Sequence, residues 1–242
     1  MNPPYSTEAL LTFYGTYITR YEPRGDEQRR DRRRRQKERS FELIERFVRP
    51  GNLLSIGSGD GLELSVAQAR GWSVVGHDMD PRLAAEIRAA SGVEVLSGPL
   101  LEHPFTDSCF DCVFMDQVLE HLTNPRDYLM LAGRVLRPGG ILYLGVPNTG
   151  SIAAMWQRSM GRLGLKRKTR GRHYDTGHHV LYFTPRVAAH ALERWFGFQV
   201  QLVQGDPKMG DGRGVAAGAI DRLRTRLPVL DSAMRIIARK PA

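Results

Sequence analysis

Leu53-Leu54-Ser55-Ile56-Gly57-Ser58-Gly59-Asp60-Gly61 is the stretch whose reading decides the fold. Its mostly apolar start reads as a short buried strand. Three glycines at alternate positions follow, and Gly61–Gly71 then reads as a helix closed by Gly71. Glycine lets the backbone turn sharply and approach a ligand closely. The start of the helix presents free amide groups and a partial positive charge. The strand, loop and helix together make a candidate ligand site. The plainer reading is a packing turn, and the position at the head of a series of strands and helices favours the site.

That series runs outward from the loop. Trp72–Asp78 reads as a second strand, and Pro81–Gly92 as a helix with proline at its start and glycine at its end. Val93–Gly98 and Phe110–Asp116 read as third and fourth strands. Asn124–Gly140 reads as a helix stopped by Pro138-Gly139-Gly140, and Ile141–Pro147 as a fifth strand. Continuous apolar strands alternating with helices imply a parallel sheet covered on both faces, a doubly wound α/β architecture. Thr184–Gly197 then predicts a helix capped by Thr184, Phe198–Gln204 a sixth strand, Val215–Arg226 a helix and Ser232–Ala242 a closing strand. The sheet is thus expected to be seven-stranded and mostly parallel. Asn148–His179 is polar, basic and too long for a simple connection, so an insertion over about 148–183 is expected to act as a lid. Residues 1–50 form an expected N-terminal helical cap, with helices over Thr7–Tyr21 and Asp26–Phe47, and residues 51–242 the main domain.

Charge separates these regions. The net charge is +9, yet Gly51–Pro147 holds 12 acidic and 6 basic residues. The excess lies in Gln28–Arg39, with eight basic residues in twelve positions, and in Arg158–Arg172. The bland reading is solvated surface. The functional readings are an anionic acceptor, an anionic membrane surface or RNA, although no RNA-binding module is recognisable. No run approaches the ~18 apolar residues of a membrane span. The start, MNPPYSTEAL, lacks a signal-peptide pattern, so a cytoplasmic protein is expected, with peripheral membrane attachment as the alternative. The two cysteines, Cys109 and Cys112, have CxxC spacing but no second pair, and Cys112 sits in a strand-like run. Coincidence on a strand is the favoured reading, and no metal site is assigned.

Asp78 ends the second strand, where a carboxylate can accept both hydroxyls of a ribose; Asp80, before Pro81, fits a helix cap better. Dinucleotide-binding proteins share the glycine loop and this acid, so the two leave the cofactor open. The span HPFTDSCFDCVFMDQVLEHLTNPRDYLMLAGRVLRPGGILYLGVPN, with HHVLYFTP and the terminal IIARKP, resembles the class I S-adenosylmethionine-dependent methyltransferases, most closely their small-molecule group. The resemblance covers roughly Leu53–Pro241. It implies a Rossmann-like fold and S-adenosyl-L-methionine as cofactor. It implies that Gly57, Ser58, Gly59 and Gly61 wrap the methionine part, that Asp78 holds the ribose and that Met79 packs the adenine. It also implies that Asp116 and Gln117 lie by the sulfonium. The family often has a Gly-Asp-Ala pattern after the third strand. This chain reads Gly98-Pro99-Leu100-Leu101, which leaves backbone groups of Leu100 or Leu101 to serve the adenine.

Methyl transfer from a sulfonium needs alignment and a dry environment, and it needs a base only if an acceptor hydroxyl must lose a proton. Histidine suits that role near neutral pH. The candidates are His121, after the fourth strand, and His178 and His179, at the end of the insertion; the competing reading of each is structural. Tyr14, Tyr17, Asn148 and Tyr182 are candidate acceptor contacts. The expected function is methylation, with oxygen as the preferred target, of a small-molecule or lipid-linked acceptor. Carbon or nitrogen methylation, an RNA-binding methyltransferase and a catalytically silent cofactor-binding protein are the alternatives.

Overall fold

Strand β1, Asn52–Ile56, is built from residues that are almost wholly enclosed, and the rest of the sheet is arranged about it. The computed structural model describes residues 27–162, 179–206 and 227–242. The helices expected over Thr7–Tyr21 and Val215–Arg226 lie outside the described residues, as does much of the insertion. The described elements are α1 (Glu27–Ile44), β1, α2 (Leu62–Ala69), β2 (Ser73–Asp78), α3 (Pro81–Ser91), β3 (Glu94–Ser97), β4 (Phe110–Asp116), α4 (Pro125–Val135), β5 (Leu136–Pro147), α5 (Ile152–Arg162), α6 (Pro185–Phe196), β6 (Gln199–Gly205) and β7 (Ala233–Arg239). The strands form one seven-stranded sheet in the order β3-β2-β1-β4-β5-β7-β6. β1 runs parallel to both β2 and β4, β2 runs parallel to β3, and β6 is antiparallel to β7. The chain therefore winds outward from β1 to β3 and returns to β4 on the other side. That reversal makes the carboxyl ends of β1 and β4 a switch point, where ligands of such sheets bind.

The described chain divides into two compact units, one reaching Met115 and including Thr123–Leu142, the other made of Asp116–Leu122 and Tyr143–Pro241. In the first unit, α1 is held by its last turns. Its arginine, lysine, glutamate and glutamine residues are good helix formers, but only Ser40, Phe41, Leu43 and Ile44 are buried. Phe41 stacks on Phe114 of β4 with ring centroids 5.3 Å apart, and lies 6.4 Å from Trp72. On the same face of the sheet, Leu64, Ala84, Ile87, Val93 and Val95 pack α2 and α3 against β2 and β3. In the second unit, Met234, Ile236 and Ile237 of β7 are fully buried, and Arg235 pairs with Asp206 at 2.6 Å with both side chains enclosed.

The caps follow their sequence signals. Asp80 accepts the Arg82 N–H, and Thr184 that of Val187. Gly92 and Gly197 close α3 and α6 in the left-handed conformation. One boundary differs from expectation: α4 ends at Val135 rather than at the Pro138-Gly139-Gly140 stop, and β5 begins at Leu136. Proline disfavours helical geometry in the residue before it and blocks a helical bond to the residue four back. The last carbonyls, of Arg134 and Val135, are taken by the amides of Ser108 and Cys109. Among the described residues, no helix is long and apolar enough to cross a membrane.

Glu63, in the first turn of α2, is the least ordinary member of this core. It is buried and accepts a hydrogen bond from Ser55 Oγ at 3.1 Å. Burial pushes its carboxyl pKa up to about 7, against the pull of Lys37. The raised value favours the protonated acid in the folded state. That contribution to stability is complete below the unfolded value near 4.3 and is lost as pH climbs through about 7. The loss at pH 8 amounts to at most ~4 kcal/mol. Glu63→Gln should therefore raise the thermal midpoint at pH 8 by more than at pH 5, as read by calorimetry at both values; an equal shift at the two pH values would contradict the assignment.

Candidate active site

The glycine loop is tied to the end of β2. The amides of Gly57 and Ser58 both donate to the His77 carbonyl at 2.8 Å, and the Gly59 amide donates to Asp78 Oδ2 at 2.8 Å. Gly61 N–H closes the turn on the Ser58 carbonyl. Gly57, Gly59 and Gly61 have φ of +75°, +54° and +71°, the left-handed region that favours glycine. Their reasons differ. A Cβ on Gly61 would come within 2.8 Å of Ile87, so this glycine lets α2 pack against α3. A Cβ on Gly59 would meet nothing within 4 Å. The loop is bent at Gly59 beside open space, as a cradle for a ligand must be. Ser58 is buried, its hydroxyl donating to the Ser55 carbonyl and accepting from the His77 amide. Its side chain therefore serves the sheet.

Asp78 holds a second backbone donor, Asp80 N–H, on Oδ1 at 3.0 Å. Burial raises its carboxyl pKa, with the amides of Asp80 and Gly59 opposing. A carboxylate oxygen accepts more than one bond, so both oxygens retain capacity for ribose hydroxyls. Met79 is half-buried, Leu100 fully buried and Leu101 41% exposed. Sequence reasoning missed two histidines at the turn that lacks the acidic residue. The buried His77 donates from Nε2 to the Gly98 carbonyl at 2.8 Å, and His103 Nε2 lies 3.1 Å from the Ser97 carbonyl. Burial lowers the His77 pKa, which keeps the ring neutral, and its Nδ1 is buried with no hydrogen-bond partner among the described residues. A polar ring in the apolar run Val74-Val75-Gly76-His77 was the available signal.

The second unit gathers a different set. Gln117 takes φ +61°, an uncommon conformation for a residue other than glycine and one often found at functional sites. Its backbone and side-chain amides both donate to the Gly145 carbonyl, at 2.7 and 3.1 Å. A Cβ on Gly145 would collide with the Asp116 carboxylate, so the bare glycine makes room for that acid. Glu120 and His121 lie on the short 3-10 turn Leu119–His121. The Glu120 carbonyl accepts the amides of Val180 and Leu181 at 2.8 and 3.1 Å, which ties the end of the insertion to this turn. As a result the His121 and His179 rings meet edge to face, with centroids 4.8 Å apart. His121 Nε2 lies 3.9 Å from Glu120 Oε1, with the glutamate side chain fully buried and the histidine 18% exposed. The His179 and Tyr182 rings are 6.4 Å apart.

Asn148 departs from its expected role as an acceptor contact. It is fully buried, its Nδ2 donates to the carbonyls of Pro228 and Asp231, and its Oδ1 accepts the Gly150 amide. With both N–H groups spent, the side chain is an internal brace. Tyr14, Tyr17 and His178 lie outside the described residues.

Residues 54–144 match the methyltransferase domain family. The chain is 34% identical over 98 residues to a probable S-adenosylmethionine-dependent methyltransferase of Mycolicibacterium smegmatis, covering 40% of this chain and 38% of that one. It is 32% identical over 123 residues to a ubiquinone biosynthesis O-methyltransferase of Caulobacter, covering 44% and 48%. Residues 54–144 thus carry a methyltransferase domain, similar to that of S-adenosylmethionine-dependent methyltransferases. The crystal structure of the Burkholderia thailandensis 1,6-didemethyltoxoflavin-N1-methyltransferase, with S-adenosylhomocysteine bound, shares the fold at a TM-score of 0.64 and 19% identity, over 100% of this chain and 94% of that one. The chain spans less than half the length of the two curated relatives named here, 38% and 48%.

The methyltransferase domain fits its cofactor class at the glycine loop, where open space at Gly59 lies beside the Asp78 carboxylate. Helix α1 touches the same loop: Arg33 grips Asp60 with two hydrogen bonds of 2.7 and 2.9 Å. One member of the arginine cluster is thus engaged in the fold. Burial raises the thiol pKa of both Cys109 and Cys112, which disfavours the reactive thiolate and supports the strand reading of their spacing.

Asp78→Ala should weaken S-adenosylhomocysteine binding by about 1.5–3 kcal/mol, the scale of losing hydrogen bonds to a charged group. Gly59→Val should weaken it further, because it strains the turn and fills the open space. Calorimetric titration measures both, and wild-type affinity in the two variants would show the loop not to be the cofactor site. NAD should not bind.

Proposed function

We propose that this chain transfers a methyl group from S-adenosylmethionine to a hydroxyl oxygen of a small-molecule or lipid-linked acceptor. S-adenosylmethionine supplies a methyl group on a sulfonium whose sulfur leaves neutral. Gly57, Ser58, Gly59 and Gly61 hold it through their backbone, Asp78 through its carboxylate, and Met79, Leu100 and Leu101 through apolar and backbone contact. The resemblance, together with the strained φ of Gln117, supports Asp116 and Gln117 as further cofactor residues.

The observation that carries the choice of oxygen is the cluster of Glu120, His121 and His179. A hydroxyl is a poor nucleophile until its proton is drawn off, whereas many nitrogen and carbon acceptors need no such help. Two imidazoles in contact beside a buried carboxylate are suited to handling that proton. The Caulobacter relative, named as an O-methyltransferase, supports the same choice. Residues 1–50 and the insertion over about 148–183, which fall outside the regular strand–helix series, are proposed to recognise the acceptor, with Tyr182 as a contact. The basic clusters favour an acceptor that carries negative charge.

His121→Ala and His179→Ala should each lower kcat about 10²–10⁴-fold while leaving S-adenosylhomocysteine affinity near wild type. The assay follows isotope from methyl-labelled S-adenosylmethionine into a panel of phenols, sugars and phosphorylated or lipid-linked alcohols. Label recovered on nitrogen or carbon, with both variants fully active, would overturn the reading.

A further inference from the structure

The three residues of this cluster have a second property that the sequence does not disclose. Glu120, His121 and His179 each offer one ligand atom, and these atoms all lie within 4.8 Å of one another. We propose that they form a binding site for a divalent transition-metal ion of the zinc type, with open coordination positions that receive the acceptor hydroxyl. The site itself stands on these residues alone; its role rests on the O-methylation reading and deepens it.

Two imidazole nitrogens and one carboxylate oxygen form the donor set of three-ligand zinc centres, and imidazole nitrogen selects such ions over calcium or magnesium. Ligand bonds of roughly 2.0–2.2 Å put adjacent donors about 3–3.5 Å apart, so a gap of 4.8 Å or less closes by small side-chain rotations. The cluster is organised for this by its backbone. The two amide bonds to the Glu120 carbonyl fix the chain at Val180 and Leu181, and so bring His179 to His121 across a long sequence separation. The fully buried carboxylate attracts a cation strongly because water does not screen it there. Exposure on the histidine side gives an ion a way in, since the His121 side chain is 18% exposed while that of Glu120 is not exposed at all. Three protein ligands leave at least one position open, which distinguishes a catalytic centre from a closed structural one. A hydroxyl oxygen in that position gives its proton to solvent more readily, as metal-bound water does. With an ion present both histidines are ligands, and the ion rather than an imidazole draws the proton off.

The test uses the full chain, stripped with chelator and titrated with zinc and with cobalt. One equivalent of zinc should bind. The cobalt form should show d–d absorption with no thiolate charge-transfer band, unchanged by Cys109→Ser. His121→Ala and His179→Ala should each weaken zinc binding by more than about 100-fold, beyond the 10–100-fold typical of an outer-shell partner. S-adenosylhomocysteine binding and the thermal midpoint show that the variants remain folded. No stoichiometric zinc in wild type, or equal affinity in both folded variants, overturns the site, as does a cobalt spectrum with thiolate bands lost in Cys109→Ser. Methyl transfer to oxygen that chelation abolishes and zinc restores supports the role. Zinc bound by these residues with transfer indifferent to it overturns the role and leaves the site.

Discussion

Two consecutive residues at the end of β2 hold three consecutive amides of the glycine loop. The His77 carbonyl takes those of Gly57 and Ser58, and the Asp78 carboxylate takes that of Gly59. The parallel register that sets Ile56 beside His77 makes this possible, because it ends both strands at one level. A loop held by a neighbouring strand keeps its left-handed turns without a bound ligand, so its open face is preorganised. Asp78 then does two things at once: it fixes the loop and presents a carboxylate beside the space the loop leaves.

Around this contact the first unit divides labour among residues that look alike. Gly61 is required by packing against Ile87 and Gly59 by the bend beside open space, though both are glycines two positions apart. Ser58 knits strands while its neighbours face a ligand. The arginine-rich helix, which reads as a charged surface, is anchored at one end by Phe41 and touches the loop through Arg33 and Asp60. That ion pair is about one-third exposed on each side, so solvent screens it and its energetic weight is small. Its consequence is positional, since it places a basic helix against the loop.

The second unit obeys a different constraint. The turn after β4 has to satisfy its backbone, and it does so by accepting the amides of Val180 and Leu181. Through those two bonds the end of a long insertion is registered against Glu120, and a histidine from each segment comes into contact. Gly145 and the strained Gln117 belong to the same arrangement, in which β5 yields room to Asp116 and its carbonyl receives both Gln117 amides. Strain of this kind persists only where surrounding bonds enforce it.

The sheet, its winding and the cofactor class were legible in the residues because their causes are local or repeated. Apolar runs four to seven residues long, glycines with forced φ, proline starts and glycine stops each act within a turn or two, and the ordered methyltransferase motifs carry the domain family. Helix α4 shows the limit of this kind of reading, since backbone partners from Ser108 and Cys109 helped set its end earlier than the Pro-Gly-Gly signal. Only tertiary structure decided which side chains share space: that Asn148 is a brace, that His77 and His103 support the turn after β3, and that His121 and His179 adjoin a buried Glu120. Those pairings depend on contacts between residues far apart in the chain, and no spacing within the sequence encodes a distance that the fold itself creates.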